Sequence, residues 1–397
     1  MKVMESEPEN SRDSQNNLEC LLASPDMKKD EVKILNILKA CEEGRLDALR
    51  DFATTKGGLI SDNIRRQAWP LLLGVGKYGI GSQSQIEDTN SLWGLPIHPD
   101  EDQVKLDVNR SFVHYPHGRS LNELLERQRK LFDLITHVLR YLPYLSYFQG
   151  YHDICQVFTL VMGPETHWSV IARLSALRIR DFMLPTFSQT LAQLHLIPSI
   201  IKRVNPKLWI HISRTQPFYA LSGTLTMYSH DIKDYGEITR LFDVLLAREA
   251  VFSIYIFAQI VLQRSDELFN ISSDEPEILH SVLSKIPNPL GIEALIKKTV
   301  RLFETHPPEV LQGWNKISSY SVLKTTRWPD AVSGQSLDDG RIFFTKQVKE
   351  LKRAELRDVT LNTVRKYWKP ALSIGIPVLV SIISFWLRDS AGTAGIF

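Results

Sequence analysis

Apolar residues recur every three or four positions over long stretches of this chain, and this spacing constrains the fold more than any other feature. The first such stretch covers residues 32–52, with charged residues between the apolar ones. Residues three and four positions apart lie on one face of an α-helix. The same spacing recurs over residues 121–142, 168–183, 238–262, 276–285, 291–303 and 343–368.

The sequence gives little support for β-strands. No stretch alternates apolar and polar residues between hairpin-turn signals, which is the pattern of a half-buried strand. Glycine-rich, proline-rich and small polar segments separate the helical stretches and predict loops. These segments are residues 74–85, 288–291, 306–308 and 333–340. The sequence therefore predicts an all-α fold.

The balance of charges argues against a nucleic-acid-binding protein. The chain has 47 lysines and arginines against 45 aspartates and glutamates, a net charge of +2, so no global positive field is present. Its three cysteines, Cys20, Cys41 and Cys155, form neither a CxxC pair nor a cluster with histidine. This scatter disfavours a disulfide framework and a structural zinc site. We expect the folded part to face a reducing compartment.

The two ends of the chain differ in character. Residues 1–30 are polar and acidic and predict a disordered tail. Residues 371–387 form a run of 17 residues without a charge, just inside the range of a membrane-spanning helix. Aromatic and basic residues flank this run, as they flank membrane helices. We expect a transmembrane tail anchor over residues 366–390, a cytosolic body, and a short lumenal tail over residues 391–397.

A buried core helix is the alternative for this apolar run. Gly375 and Pro377 lie in its middle, and proline kinks or breaks a helix. Membrane helices tolerate both residues better than soluble helices do. The run would span roughly 25 Å as a helix, which suits a thin bilayer such as that of the endoplasmic reticulum. The anchor is therefore the preferred interpretation.

Several glycines match a nucleotide-binding motif without its context. Gly74, Gly76 and Gly79 fit GxGxxG, but no strand–turn–helix unit surrounds them, and no GxxxxGK[ST] loop occurs in the chain. The chain is therefore not expected to bind or hydrolyse GTP itself.

Two histidine motifs are equally weak. His114 and His117 have no cysteine or acidic residue nearby in sequence to complete a metal site. The pair His152-Asp153 has no recognisable nucleophile elbow to accompany it. Neither motif predicts a catalytic or metal site.

Three other strings are informative because they occur together and in order. They are Arg65-Arg66-Gln67-Ala68-Trp69, Val104-Lys105-Leu106-Asp107-Val108-Asn109-Arg110, and Tyr147-Phe148-Gln149-Gly150. The set resembles the RxxxW, IxxDxxR and YxQ motifs of the TBC-domain Rab GTPase-activating proteins, with Val104 in place of the usual isoleucine. Residues 229–231 and 240–246 resemble later blocks of that family. The resemblance covers about half of the chain, from near Lys56 to near Gln263.

This resemblance implies a TBC-domain helical fold and a role for each motif residue. Arg110 would be an arginine finger and Gln149 a glutamine finger, both acting in trans on a Rab. Arg65 and Trp69 would be structural supports. No cofactor of the chain's own is implied, because GTP and Mg²⁺ would be carried by the Rab partner.

The remaining motif residues would support the two fingers. Asp107 and Tyr147 would hold the finger segments, and Gly150 closes the third motif. Asp107 and Arg110 are three positions apart, so a helical or near-helical segment would place them on one face. Asp107 is therefore expected to orient the finger or its backbone.

The motifs and the anchor together give the expected organisation. The TBC domain with its N-terminal helix would cover residues 31–265, and a helical C-terminal part would cover residues 266–365. A TBC domain before a tail anchor resembles an endoplasmic-reticulum member of the family. That resemblance implies a GTP-bound Rab of ER-to-Golgi transport as the partner, with other proteins of the ER membrane as further partners and the cis-Golgi as a second location.

Two alternatives to this function stay open. One is a catalytically silent, membrane-anchored scaffold that binds a Rab. The other is a protein that uses residues 266–365 to shape membranes or to bind a receptor. The presence of both finger residues favours the activator over the scaffold.

Overall fold

The computed structural model describes residues 25–75, 94–116, 118, 120–163, 168–328 and 330–357. Those residues form helices and loops and contain no strand, so the all-α prediction is confirmed for them. The α-helices are α1 Pro25–Glu43, α2 Leu46–Thr54, α3 Asp62–Leu72, α4 Glu101–Val108, α5 Leu121–Tyr141, α6 Tyr151–Met162, α7 Trp168–Leu174, α8 Ser188–Leu194, α9 Leu196–Val204, α10 Pro206–His211, α11 Leu221–Leu225, α12 Tyr235–Ala247, α13 Phe252–Gln263, α14 Ser265–Phe269, α15 Pro276–Leu283, α16 Ile292–Thr305, α17 Val322–Thr325, α18 Ala331–Gly334 and α19 over residues 337–357.

The chain divides into two compact units, and the division falls within α19. The first unit ends at Phe344, and residues from Thr345 onward belong to the second. Of the second unit, the structure describes residues 345–357, which are helical. Residues 270–344 share the first unit with the residues before them. The boundary expected between residues 265 and 266 stays a prediction.

Side-chain caps explain where several helices begin. Ser120 accepts a hydrogen bond from the backbone N–H of Glu123 at the start of α5, and the Glu123 carboxylate accepts one from the backbone N–H of Ser120 in return. Asp234 accepts from the backbone N–H of Glu237 at the start of α12, at 2.8 Å. Each cap satisfies N–H groups that the first turn of a helix leaves without partners. Polar residues just before these apolar stretches therefore set the helix starts.

An aromatic cluster fixes α3, α6 and α12 against one another. The ring centroid of Trp69 in α3 lies 5.2 Å from that of Phe158 in α6 and 5.9 Å from that of Phe242 in α12. All three side chains are fully buried. Aromatic pairs at such separations stabilise a core beyond the area they bury. Since α6 begins directly after the third motif, the cluster also fixes the position of that motif.

Buried arginines after α6 bind the C-terminal part of the first unit. Arg173 donates to the carbonyl oxygens of Val332 and Gln335 at 2.7 and 2.8 Å. The fully buried Arg180 donates to the carbonyl oxygen of Tyr320. Burial lowers the pKa of Arg180 to about 10, so its guanidinium stays charged at neutral pH. A buried charge needs hydrogen-bond partners. The segments that supply these carbonyl groups are therefore needed to keep the two arginines buried.

The loop predicted over residues 333–340 is wrong for most of its length. Helix α18 includes Ser333 and Gly334, and α19 begins at residue 337. Between them, Ser336 accepts from the backbone N–H of Asp339 at 3.1 Å, and Asp339 accepts from the backbone N–H of Ser336 at 2.8 Å. This reciprocal pair is a capping box. The small polar residues that suggested a loop therefore start a helix.

Most of the N-terminal tail and the whole of the expected anchor lie outside the described residues. Helix α1 begins at Pro25, a residue suited to the first helical position, and so includes residues 25–30 of the segment expected to be a tail. Within the described ranges, no helix combines the length and the apolar character needed to cross a bilayer. Residues 366–390 and 391–397 are not among those ranges, so the anchor and the lumenal tail stay predictions.

Candidate functional site

The expected arginine finger lies on the turn that follows α4. Arg110 donates from Nη2 to Oδ1 of Asp107, and its backbone N–H donates to the Asp107 carbonyl oxygen at 3.0 Å. The Asp107 side chain is fully buried, whereas the Arg110 side chain is 64% exposed. The guanidinium is thus held through one nitrogen and reaches solvent with the rest of its surface.

Asp107 also binds the segment that carries the third motif. Its Oδ2 accepts a hydrogen bond from the Tyr147 hydroxyl at 2.9 Å, and its Oδ1 accepts one from Gln103 at 3.1 Å. Burial, followed by the Asp107 charge, raises the pKa of Tyr147 well above its usual value, so the phenol keeps its proton. A single buried carboxylate therefore joins Arg110 to Tyr147, which lies two residues before Gln149.

The backbone just after the finger adopts an uncommon conformation. Phe112 has a φ of +62° although it is not glycine, a conformation that costs about 1–3 kcal/mol. The Phe112 side chain is buried, and its backbone N–H donates to Oε1 of Gln156 in α6 at 2.7 Å. These contacts hold the strained residue in place. They also fix the end of the Arg110 turn relative to α6.

The expected glutamine finger lies on the short segment between α5 and α6. The backbone N–H of Tyr147 donates to Oδ2 of Asp100 at 2.8 Å, which fastens the start of this segment to the residue before α4. Gln149 is exposed and makes no side-chain hydrogen bond to a described residue. Gly150 follows with a φ of +106°, which glycine adopts without steric cost. The Gln149 amide is therefore available to a partner.

An ion pair braces α4 from the side of α5. Arg140 donates from Nε and Nη2 to the two carboxylate oxygens of Glu101 at 2.6 and 2.7 Å. The hydrogen bond from Arg140 is the main cause that lowers the pKa of Glu101. Two parallel bonds fix direction as well as distance. They hold the helix whose C-terminal end carries Asp107.

The first motif is structural, and one aspartate explains its spacing. Arg65 donates to the two carboxylate oxygens of Asp243 at 3.0 and 3.1 Å, and Trp69 donates from its indole N–H at 2.9 Å. The backbone N–H of Leu59 gives this carboxylate a fourth bond, at 3.1 Å. The Asp243 side chain is fully buried. Arg65 and Trp69 are four residues apart and so reach it from one face of α3.

The pair His152-Asp153 lies beside Tyr147, which is bonded to Asp107. Nε2 of His152 is 3.3 Å from Oδ1 of Asp153, and the other ring nitrogen faces the Tyr147 hydroxyl at 3.1 Å. His117 lies outside the described residues. In the part of the chain that the structure describes, no group of three or more His, Cys, Asp or Glu side chains is placed to hold a metal ion.

Sequence reasoning missed two residues that organise this site. Asp243 lies within the family-like block at residues 240–246 but received no role. Asp243 follows Leu241 and Phe242 and precedes Val244, Leu245 and Leu246, and an acidic residue in such an apolar run signals a buried partner, so its importance was detectable. Gln156 carried no such signal, because its bond to Phe112 joins residues 44 positions apart.

The fold and the site together define a class of protein. Solved structures share the all-helical architecture: the Ypt/Rab-GAP domain of Gyp1p matches with a TM-score of 0.53 at 16% identity, over 66% of this chain and 94% of that one. The Chlamydomonas flagellar RabGAP TBC domain matches with a TM-score of 0.52 at 13% identity, over 75% of this chain and 96% of that one. The chain therefore has the TBC fold.

The sequence comparison gives the family. Residues 62–269 match the model of the Rab-GTPase-TBC domain, and the chain belongs to this family. It is 36% identical over 287 residues to TBC1 domain family member 20 of Bos taurus, a match that covers 71% of this chain and 70% of the relative. It is 31% identical over 335 residues to the GTPase-activating protein gyp10 of Schizosaccharomyces pombe, a match that covers 82% of this chain and 87% of the relative.

Proposed function

We propose that this chain accelerates GTP hydrolysis by a Rab-family GTPase, with Arg110 and Gln149 supplied in trans. One observation carries the proposal: buried Asp107 holds both the exposed Arg110 and the Tyr147 segment that presents the exposed Gln149. Family membership and relatives named as GTPase-activating proteins support it. In this proposal GTP and Mg²⁺ enter the site with the Rab.

The two side chains fit the needs of that reaction. A GTPase alone is slow because charge develops on the transferring phosphoryl group and the attacking water is loosely held. The Arg110 guanidinium is planar and permanently charged, so it can bond several phosphate oxygens at once. The Gln149 amide can accept a hydrogen bond from the water and donate another. An arginine finger supplied in trans raises the rate about 10³–10⁵-fold in known systems.

The proposal extends to the substrate and the membrane: the Rab is one of ER-to-Golgi transport, and residues 366–390 anchor the chain in the endoplasmic-reticulum membrane. The uncharged run at residues 371–387, its basic and aromatic flanks, and its shortness support the anchor. The similarity to TBC1 domain family member 20 over most of the chain supports the assignment to that branch. Tethering would raise the effective concentration of the protein relative to a lipidated Rab on the same membrane.

The experiment is single-turnover GTP hydrolysis by a panel of GTP-loaded Rabs, with the full-length chain in mild detergent. Arg110→Lys and Arg110→Ala should each lose most of the acceleration, because lysine keeps the charge but not the planar fork. Gln149→Ala should also fail. Arg214→Ala is the control, since Arg214 has a similar exposure of 67% and also pairs with an aspartate, the exposed Asp274.

Three outcomes would contradict parts of the proposal. Near-normal acceleration by Arg110→Lys and Arg110→Ala would remove the finger assignment. Binding of GTP-loaded Rabs with no acceleration by the wild-type chain would favour the silent scaffold instead. A chain lacking residues 366–397 that still pellets with alkaline-washed membranes would overturn the anchor.

A further inference from the structure

A row of polar groups runs from the carboxylate that holds the finger toward the surface. The Tyr147 hydroxyl donates to Oδ2 of Asp107 at 2.9 Å, and Nδ1 of His152 lies 3.1 Å from the same hydroxyl oxygen. On the other side of the ring, Nε2 of His152 lies 3.3 Å from Oδ1 of Asp153. Oδ2 of Asp153 lies 3.0 Å from Nδ1 of His230.

Counting protons assigns the tautomer of His152. A phenol has one proton to donate, and Tyr147 gives it to Asp107. The hydroxyl oxygen can then only accept from His152, so Nδ1 must carry the ring proton. Oδ2 of Asp107 also lies 3.8 Å from this nitrogen, which favours a proton there. If Nδ1 were bare, two acceptors would face each other across 3.1 Å, or Tyr147 would turn its proton away from Asp107.

The surroundings favour a neutral ring with that proton on Nδ1. His152 is buried at the second position of α6, and burial is the main cause that lowers its pKa. A helix N-terminus also disfavours a positive charge. Nε2 lies at ion-pair distance from Oδ1 of Asp153, at 3.3 Å, but makes no hydrogen bond to it, and the exposed His230 can donate from its Nδ1 to Oδ2 of the same carboxylate. The hydrogen bond to Asp153 is likewise the main cause that raises the pKa of His230.

We propose that His152 is a positioning residue for the arginine finger: its Nδ1–H donates to Tyr147, directs the phenol proton onto Asp107, and so fixes the carboxylate that holds Arg110. This inference rests on the proposed function for its kinetic consequence. His152 itself does not touch the substrate. Without its N–H, the Tyr147 hydroxyl can rotate, and the Asp107 carboxylate loses one of the bonds that set its orientation.

Two substitutions separate donation from mere packing. In His152→Asn the amide nitrogen is attached to Cγ, as Nδ1 is, and can donate to Tyr147. His152→Leu is of similar size but has no donor. We expect His152→Asn to keep the single-turnover rate at saturating Rab within about twofold, and His152→Leu to lower it about tenfold, the worth of one well-placed hydrogen bond. The KM for the Rab should change less than the rate.

The control is His211→Asn, because His211 is a half-buried histidine with Nε2 3.0 Å from the Leu268 carbonyl oxygen. This variant should match the wild-type rate. Equal rates for His152→Asn and His152→Leu would overturn the proposal, whether both are high or both are low. If His152→Leu does not fold, His152→Ala replaces it as the variant without a donor, and the same loss of rate is expected.

A spectroscopic test needs no GTPase and therefore separates this inference from the proposed function. Histidine-selective ¹⁵N labelling of the full-length chain gives signals for its 11 histidines, and the signal lost in His152→Asn identifies His152. We expect a protonated Nδ1 and a bare Nε2 at neutral pH. A ring protonated at Nε2 alone would overturn the inference. A wild-type chain that shows the Nδ1–H tautomer but activates no Rab would overturn the proposed function and leave the tautomer assigned.

Discussion

The position after Gln149 is expected to accept only glycine, and the addition of a single methyl group tests this. Gly150 has a φ of +106°, and a Cβ built on it would lie 2.6 Å from Cγ2 of Thr226. Thr226 is buried, and its hydroxyl donates to the Ser222 carbonyl oxygen at 2.9 Å. The threonine methyl therefore cannot turn away without breaking that bond.

The loss of free energy of unfolding expected for Gly150→Ala has two parts. A non-glycine residue at this φ costs about 1–3 kcal/mol of backbone strain, and overpacking against Thr226 costs about 1–3 kcal/mol more. Thr226→Ser keeps the hydroxyl and removes the obstructing methyl, at about 0.8 kcal/mol by itself. In the double variant the steric part should disappear, whereas the backbone strain should remain.

Urea unfolding of the wild type, both single variants and the double variant measures these parts as a double-mutant cycle. We expect a favourable coupling of about 1–3 kcal/mol between the two substitutions, the size of the overpacking that Thr226→Ser relieves. Zero coupling would show that Thr226 does not confine this position. A loss of less than about 0.5 kcal/mol for Gly150→Ala, the range of an ordinary surface substitution, would refute the whole argument. The acceleration of GTP hydrolysis should fall in Gly150→Ala, because Gln149 is attached to the displaced backbone.

Three further predictions concern the support of the site. Asp243→Leu should cost about 3–5 kcal/mol in urea unfolding, because it leaves Arg65 buried without its main counter-ion; additive losses in the double variant with Arg65→Leu would contradict this. Glu101→Gln should make the free energy of unfolding fall less steeply at acid pH. The pKa of Glu101 is lowered in the folded chain, so its bond to Arg140 stabilises the fold above about pH 4.3, and this stabilisation is lost as the pH falls further. If the free energy of unfolding of Glu101→Gln fell as steeply with acid pH as that of the wild type, this prediction would be contradicted. A chain ending at Phe269 should fail to fold by circular dichroism, since the buried arginines after α6 lose their carbonyl partners; cooperative unfolding of this fragment would be the contrary result.

Local patterns predicted helices well where one face of the helix is polar. Helix α5 has both an apolar stripe and a capping box at Ser120, and its bounds lie within one residue of the predicted stretch. The stretch over residues 238–262 instead forms two helices, α12 and α13, with residues 248–251 between them. Both helices are buried on almost all sides, so no polar face marks the break.

Arg110 and Gln149 were easier to single out as candidates from the sequence than the bonds that place them were to predict. Arg110 and Gln149 follow from motifs, and the spacing of Asp107 and Arg110 already placed them on one face. The bond from Tyr147 to Asp107 joins residues 40 positions apart, and the bond from Arg65 to Asp243 joins residues 178 positions apart. Periodicity describes only neighbours within a few turns. Pairings at such distances depend on the packing of α3 and α4 against other helices, which no local pattern encodes.

Asp107 and Asp243 are both fully buried carboxylates, yet they serve different ends. All four bonds to Asp243 come from buried or backbone groups, so this carboxylate stabilises the fold. Asp107 also accepts hydrogen bonds from Tyr147 and Gln103, but its ion pair reaches an arginine side chain that is 64% exposed. The bond from Asp107 limits the rotamers of Arg110. In the proposed function, less side-chain entropy would therefore be lost when the guanidinium meets a phosphate of the partner. The proposed role of Arg110 as a finger in trans requires this combination, because its charge must be accessible to the partner and already oriented.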